Sequence, residues 1–298
     1  MRIKRKILLT LLLVFLLLAI LAVYLHSQNV AVMSPAGQIA NQERNLIFIC
    51  LALSAIVVVP VFVLTIYISV KYRETNRKAK YSPDFDHSNV LEAVWWAIPI
   101  VIIGVLSVIT WNSSHTLDPF RPVDANLKQL NVDVVALDWK WLFIYPDYGV
   151  ASVNRLELPL NVPVDFHITS DTVMNSFWIP NLGGQIYAMP GMVTQLHLIA
   201  SKPGIYYGSS ANISGKGFAG MNFSAYASSK RSFKDWVGSL KNYPVQLNDA
   251  AYALLAKPSS YTPVAYYSHV NPELFSGIVY KYMYPSNSIK LSPMKGMN

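Results

Sequence analysis

The chain has 298 residues, of which 53% are hydrophobic and 13% charged, with a formal net charge of +8. It is too apolar for an ordinary soluble protein and too polar for one wholly embedded in a bilayer, so a membrane anchor joined to a water-exposed domain fits. Much of the basic excess sits beside apolar segments, where it reads as a topology signal and argues against nucleic-acid binding. The single cysteine, Cys50, falls in an apolar run and excludes both an internal disulfide and a cysteine-based metal site.

At the N-terminus Arg2, Lys4, Arg5 and Lys6 precede an uncharged apolar run, residues 7–25. That is the pattern of an export signal or a signal-anchor helix. The run is long for a cleaved signal, and Ala22-Val23-Tyr24-Leu25-His26 offers no small-x-small cleavage site, so residues 1–30 are read as a signal peptide or a retained first helix. Residues 46–70 form a second uncharged run, long enough at 1.5 Å per residue to cross a hydrocarbon core of about 30 Å. The third apolar helix is expected over about 92–111, with Trp95, Trp96 and Trp111 as interfacial anchors and Pro99 as a bend. The connecting loop is rich in basic residues (Lys71, Arg73, Arg77, Lys78, Lys80), whereas residues 26–45 carry only Arg44. By the positive-inside rule the loop is cytoplasmic, and everything after about Asn112 lies outside the cytoplasm.

From Asn131 the pattern changes to short alternating stretches such as Leu130–Leu137, Val164–Ile168 and Gln195–Ile199, separated by turns at Pro159, Pro163, Gly183-Gly184, Pro190-Gly191 and Pro203-Gly204. Period two with frequent turns predicts an antiparallel sandwich or barrel over residues 113–230. After Lys230, Phe233-Lys234-Asp235-Trp236-Val237 and Asp249–Leu255 place apolar residues near helical spacing, which predicts a helical extension over 231–298. Residues 31–112 are the two-helix hairpin. Met174, Met189, Met192, Met221 and His197 could be read as a thioether site for copper(I), but methionine is a common gap-filler and core packing is preferred. His167 and His197 have no spaced partner and are read as structural.

Several stretches carry a family resemblance: Asp138-Trp139-Lys140-Trp141-Leu142-Phe143-Ile144-Tyr145, Met174-Asn175-Ser176-Phe177, Gln185-Ile186-Tyr187-Ala188-Met189, Ser214-Gly215-x-Gly217-Phe218-x-Gly220-Met221 and Phe233-Lys234-Asp235-Trp236. Together with the hairpin they resemble subunit II of the haem-copper respiratory oxidases, from about Gln38 onward, and within it the ubiquinol oxidase branch of the cytochrome bo type. The resemblance implies a membrane α-helical hairpin followed by an all-β, cupredoxin-like Greek-key sandwich with a small helical tail.

In copper-bearing members of that family the binuclear centre is held by Cys-x3-Cys-x3-His-x2-Met, because soft sulfur and imidazole select copper. Counting back from Met221, the spacing lands here on Phe218, Ser214 and Ser210, with Asn212 between the two serines. The upstream histidine position is Asn175. Hard neutral donors of this kind do not hold copper, so the resemblance implies a retained fold without the metal and no cofactor held by this chain.

The resemblance also implies that the haems and the remaining copper reside in subunit I, and that subunits I, III and IV and membrane lipid are the partners. Ubiquinol is then the substrate of the complex, dioxygen is reduced to water with proton pumping, no cytochrome c docks, and the chain resides in a bacterial inner membrane with its C-terminal domain in the periplasm. In the family Trp139 and Trp141 match an aromatic strip between a docked cytochrome and the copper pair; without copper, packing at the subunit interface is the competing reading. Asp138 is read as a partner for a basic group of the catalytic subunit. Glu92 matches a glutamate at the mouth of a proton-uptake path, against the plainer reading of an acid at the positive end of a helix dipole. One departure is that His26-Ser27-Gln28 stands where relatives in this branch often carry a lipid-modified cysteine. The competing functions are a copper-bearing cytochrome c oxidase subunit, an exported copper-trafficking protein and an assembly factor.

Overall fold

The computed structural model describes residues 30–79, 85–124 and 127–283, with a few single positions before residue 30. The signal or anchor segment therefore lies almost wholly outside the described residues. The chain divides into two compact units, residues 42–118 and the remainder.

The first unit is built from helices α1 (Gln38–Lys71, 34 residues) and α2 (Asn89–Thr116, 28 residues). Both are long and apolar enough to cross a membrane. They exceed the expected 46–70 and 92–111 at both ends, because the flanking polar turns continue the helix. Phe62, Val63, Trp96 and Ile103 are exposed, with apolar groups all round the helix as a lipid-facing segment requires. The hydroxyls of Thr65, Ser69, Ser107 and Ser113 each donate to the carbonyl four residues back, satisfying themselves within the helix. Pro60 and Pro99 lie inside α1 and α2.

The second unit is a sandwich. One sheet has six strands in the order β11-β3-β2-β1-β5-β8, and the other has five in the order β4-β10-β9-β6-β7. In chain order these are β1 (Leu130–Leu137), β2 (Lys140–Tyr145), β3 (Val150–Val153), β4 (Arg155–Pro159), β5 (Pro163–Ser170), β6 (Asn175–Trp178), β7 (Ile186–Ala188), β8 (Thr194–Ile199), β9 (Gly204–Ser210), β10 (Asn222–Ser228) and β11 (Ala265–Tyr267). Most neighbours are antiparallel, but β1 pairs with β5 and β4 with β10 in parallel. The expected antiparallel sandwich is thus observed with two parallel pairs within it, because strands that cross between sheets return beside a partner running the same way.

Between the sheets lies an aromatic core. Phe177 and Phe223 stack at 5.3 Å, and Trp141 and Phe143 meet both edge-on. A second apolar cluster joins Val135, Leu137, Leu142 and Ile144 to Leu247, Val270, Leu274 and Ile278. The C-terminal region therefore covers the outer face of β1 and β2. That double coverage explains why all six residues of β2 are buried and why it reads as a continuous apolar run. The tail holds α3 (Lys230–Lys241), α4 (Asp249–Leu255) and α5 (Leu274–Met283) and, beyond the expected helices, the strand β11, which pairs with β3.

The residues just before α1 belong to this unit. Gly37 bridges to Ala200, and Ala36 donates its amide to the Asn181 carbonyl at 2.8 Å. A Cβ at Gly37 would lie 2.6 Å from the Leu182 carbonyl oxygen, so the close approach requires glycine.

Candidate functional site

The positions singled out by spacing are gathered at one end of the sandwich, where β6 meets β9 and the β9–β10 loop folds back. Phe177 pairs with Ser210 across the sheet, and Asn175 pairs with Ala188 on β7. The Ser210 amide is bonded to the Met221 carbonyl at 3.3 Å, which closes the loop over residues 211–220. A short 3-10 turn, Phe218–Gly220, brings the chain back to Met221.

Within this frame the side chains satisfy one another. The Ser210 hydroxyl faces the Asn175 Oδ1 at 3.1 Å and the Asn212 carbonyl at 3.2 Å, and accepts from the amides of Ser176 (3.3 Å) and Asn212 (3.4 Å). The Asn175 amide group donates to the Val173 carbonyl at 2.9 Å, and Ser176 donates to the Asn212 side chain at 2.8 Å. Ser214 points its hydroxyl at the Met221 sulfur, 3.8 Å away. Asn175, Ser210 and Met221 are buried, while Ser214 and Phe218 are half-buried. The donor set is amide, hydroxyl and one thioether, with a phenyl ring at the imidazole position. Neutral oxygen donors already committed to hydrogen bonds do not fit a copper pair.

The structure separates the two tryptophans. Trp141 is wholly buried in the aromatic core, so it offers no surface to a partner subunit, and packing inside the domain accounts for it. Trp139 sits in the two-residue turn between β1 and β2 with a left-handed φ of 61°, and its ring lies over the β9–β10 loop. Its indole donates to the Ser214 carbonyl at 3.2 Å. A Cβ at Gly217 would fall 2.3 Å from the ring, so glycine is what lets the indole close down on the loop.

Asp138 takes the Thr172 hydroxyl, a short contact within the domain. Glu92 is placed in the first turn of α2, half-buried. Of the methionines, Met221 is in the core, whereas Met174 and Met192 are exposed, which corrects the core reading for those two: they stand on loop tips outside the sandwich, beside the equally exposed Val173 and Val193. The histidines have partners that spacing along the chain did not reveal. His167 lies 3.1 Å from Asp133 and 3.5 Å from Asp165, and His197 lies 3.6 Å from Asp165. The hydrogen bond to Asp133, reinforced by Asp165, pushes the His167 pKa up to about 10.

Lys140 stands between two tryptophans at the start of an apolar strand, a sequence signal for a buried cation with partners elsewhere in the fold. It is buried and donates from Nζ to the Lys257 carbonyl at 2.8 Å and the Ser259 hydroxyl at 2.6 Å, and burial pulls its pKa down.

Residues 146–227 match the family model described as cytochrome c oxidase subunit II, periplasmic domain, and residues 241–286 match the COX aromatic rich motif. The chain is 52% identical to the cytochrome bo(3) ubiquinol oxidase subunit 2 of Pseudomonas putida, an alignment covering 85% of this chain and 81% of the relative. It is 50% identical to the protein of the same description from Pseudomonas aeruginosa, covering 88% and 79%. The ubiquinol oxidase subunit 2 of Acetobacter aceti is 48% identical, covering 88% and 85%.

Proposed function

The chain belongs to the ubiquinol oxidase subunit 2 family of the haem-copper oxidases, and from that premise we propose that it is the copper-less subunit through which a quinol-oxidising complex dispenses with a docked cytochrome. The complex takes electrons from ubiquinol, reduces dioxygen to water and pumps protons. Its haems and remaining copper reside in subunit I, with subunits III and IV completing the assembly. The hairpin anchors the chain in the bacterial inner membrane and the β-domain stands in the periplasm.

A single observation carries this reading. Asn175 with Ser210 and Ser214 with Met221 form two hydrogen-bonded side-chain pairs, joined by the backbone bond from Ser210 to Met221, in the outline of a copper loop. Ubiquinol is lipid-soluble and delivers its electrons within the membrane, so a water-exposed copper relay has nothing to do. The loop retains its shape because packing holds it, and the ligands are free to be replaced. This chain's contribution is anchorage and assembly of the complex. At the cytoplasmic end of α2, Glu92 adds a carboxylate at the mouth of a proton-uptake path.

The test is metal analysis with visible absorption of the complex purified by a tag on this chain. The reading expects no copper–thiolate absorption from this subunit. Two coppers per copy of the chain accompanied by such a band would overturn it, as would a copper(I) protein that purifies without haem-bearing partners.

A further inference from the structure

We propose that the aromatic-rich C-terminal tail is a clamp that fixes the loops around the ligand-less site, cross-linking by hydrogen bonds and ring packing what a shared metal would otherwise cross-link. The inference goes beyond the choice of electron donor and holds whichever donor the complex uses.

Three loops surround the site: residues 171–174 leading into Asn175, residues 189–193 after β7, and residues 211–221 ending at Met221. The tail touches all three. Ahead of Asn175, the Asp171 side chain is only 2% exposed and its carboxylate accepts from Lys281 at 2.7 Å. The same carboxylate accepts from the Tyr252 hydroxyl at 2.6 Å, and the Asp171 carbonyl accepts from the Tyr282 hydroxyl at 2.9 Å. Two helices of the tail thus converge on one aspartate four residues before the histidine-equivalent position.

In the second loop, a Cβ at Gly191 would come within 3.2 Å of Tyr282, so the α5 end packs directly on that turn. In the third, a Cβ at Gly220 would lie 2.9 Å from the Tyr261 ring, so the tail presses on the residue before Met221. Between these points the tail is tied to the hairpin that carries Trp139. Lys140 of that hairpin holds Lys257 and Ser259, and Asn154, between β3 and β4, accepts from the Trp141 amide of the hairpin and donates to the Thr262 carbonyl at 2.8 Å.

Ordering a loop costs conformational entropy, which a metal shared among loops offsets by joining them through one centre. Here no such centre can form from the side chains present, and the tail contacts fall on the same loops. A carboxylate so nearly buried, met by a cation and a phenol from separate helices, is a fixed anchor: charge-assisted hydrogen bonds are the stronger class, and loss of one partner leaves the other desolvated.

The test is hydrogen exchange on the complex purified with the full chain. Tyr252→Phe with Lys281→Met removes both donors to the Asp171 carboxylate and keeps their apolar bodies. Amides of residues 171–178, beside the anchor that is removed, are expected to exchange about tenfold faster, with strands β3 and β4 unchanged. Unchanged loop exchange overturns the clamp, and so does equal acceleration of loops and strands, which would mean general destabilisation. If the double variant does not assemble, Tyr252→Phe alone is judged by the same comparison.

Discussion

Gly217→Ala isolates the contact between Trp139 and the β9–β10 loop. The Gly217 backbone has φ −93° and ψ 2°, a turn conformation open to alanine, so the cost comes from the added methyl group, offset by about 0.4–1 kcal/mol from the stiffer unfolded chain. That carbon would stand 2.3 Å from Trp139 Cδ2 and 2.5 Å from Cγ and Cε3. Ordinary contact begins near 3.4 Å, so the ring must retreat by about 1 Å, which breaks the 3.2 Å bond from its indole to the Ser214 carbonyl. Overpacking of this kind costs about 1–3 kcal/mol and the hydrogen bond about 1 kcal/mol, with the two overlapping because the ring movement relieves the clash. A net loss of about 2 kcal/mol lowers the unfolding midpoint of a domain of this size by roughly 4–8 °C. Differential scanning calorimetry of the purified complex measures it. Repeating the substitution in a Trp139→Ala background closes a double-mutant cycle, in which the added methyl now meets no ring and costs almost nothing. Gly217→Ala unfolding with the unaltered protein, or an equal penalty in both backgrounds, would refute the geometry of this contact.

Other consequences follow from buried charge. Because His167 has its folded pKa raised from 6.5 to about 10, its ion pairs stabilise fully below about pH 6.5 and that stability is lost as pH rises through 10. His167→Gln should therefore flatten the fall in thermal midpoint between pH 7 and 10, and an unchanged slope counts against the pairing with Asp133 and Asp165. Glu157 is almost fully buried, paired with Arg155 at 3.1 Å, and burial pushes its pKa up. Arg155→Met should cost about 2–4 kcal/mol in denaturant unfolding by stranding that carboxyl, more than Tyr226→Leu, which removes only the ring beneath the guanidinium at 4.0 Å. Glu92→Ala should slow quinol oxidase turnover while the complex assembles normally, and an unaltered rate removes the proton-uptake role.

The parts of the fold legible in the sequence are those fixed by local patterning. Two uncharged runs beside a basic loop announce α1 and α2, and alternation announces β1, β5 and β8. The spacing from Ser210 to Met221 located the site because ligand positions are set by loop length, which survives replacement of the side chains. The separation of Trp139 from Trp141 was not legible. Two residues apart, they belong on one face of a strand, but the left-handed turn at Trp139 sends its ring to the loop while Trp141 enters the core. β11 was hidden because three residues, Ala265-Tyr266-Tyr267, carry no readable period. The burial of Lys140 and Asp171 depends on a tail 81 to 119 residues away along the chain.

The central claim, that the ligand-less loop marks a complex fed by quinol, is tested most directly by donor preference. The complex purified by a tag on this chain should consume oxygen with ubiquinol and show no turnover with reduced cytochrome c. Oxygen consumption with reduced cytochrome c and none with ubiquinol would contradict it.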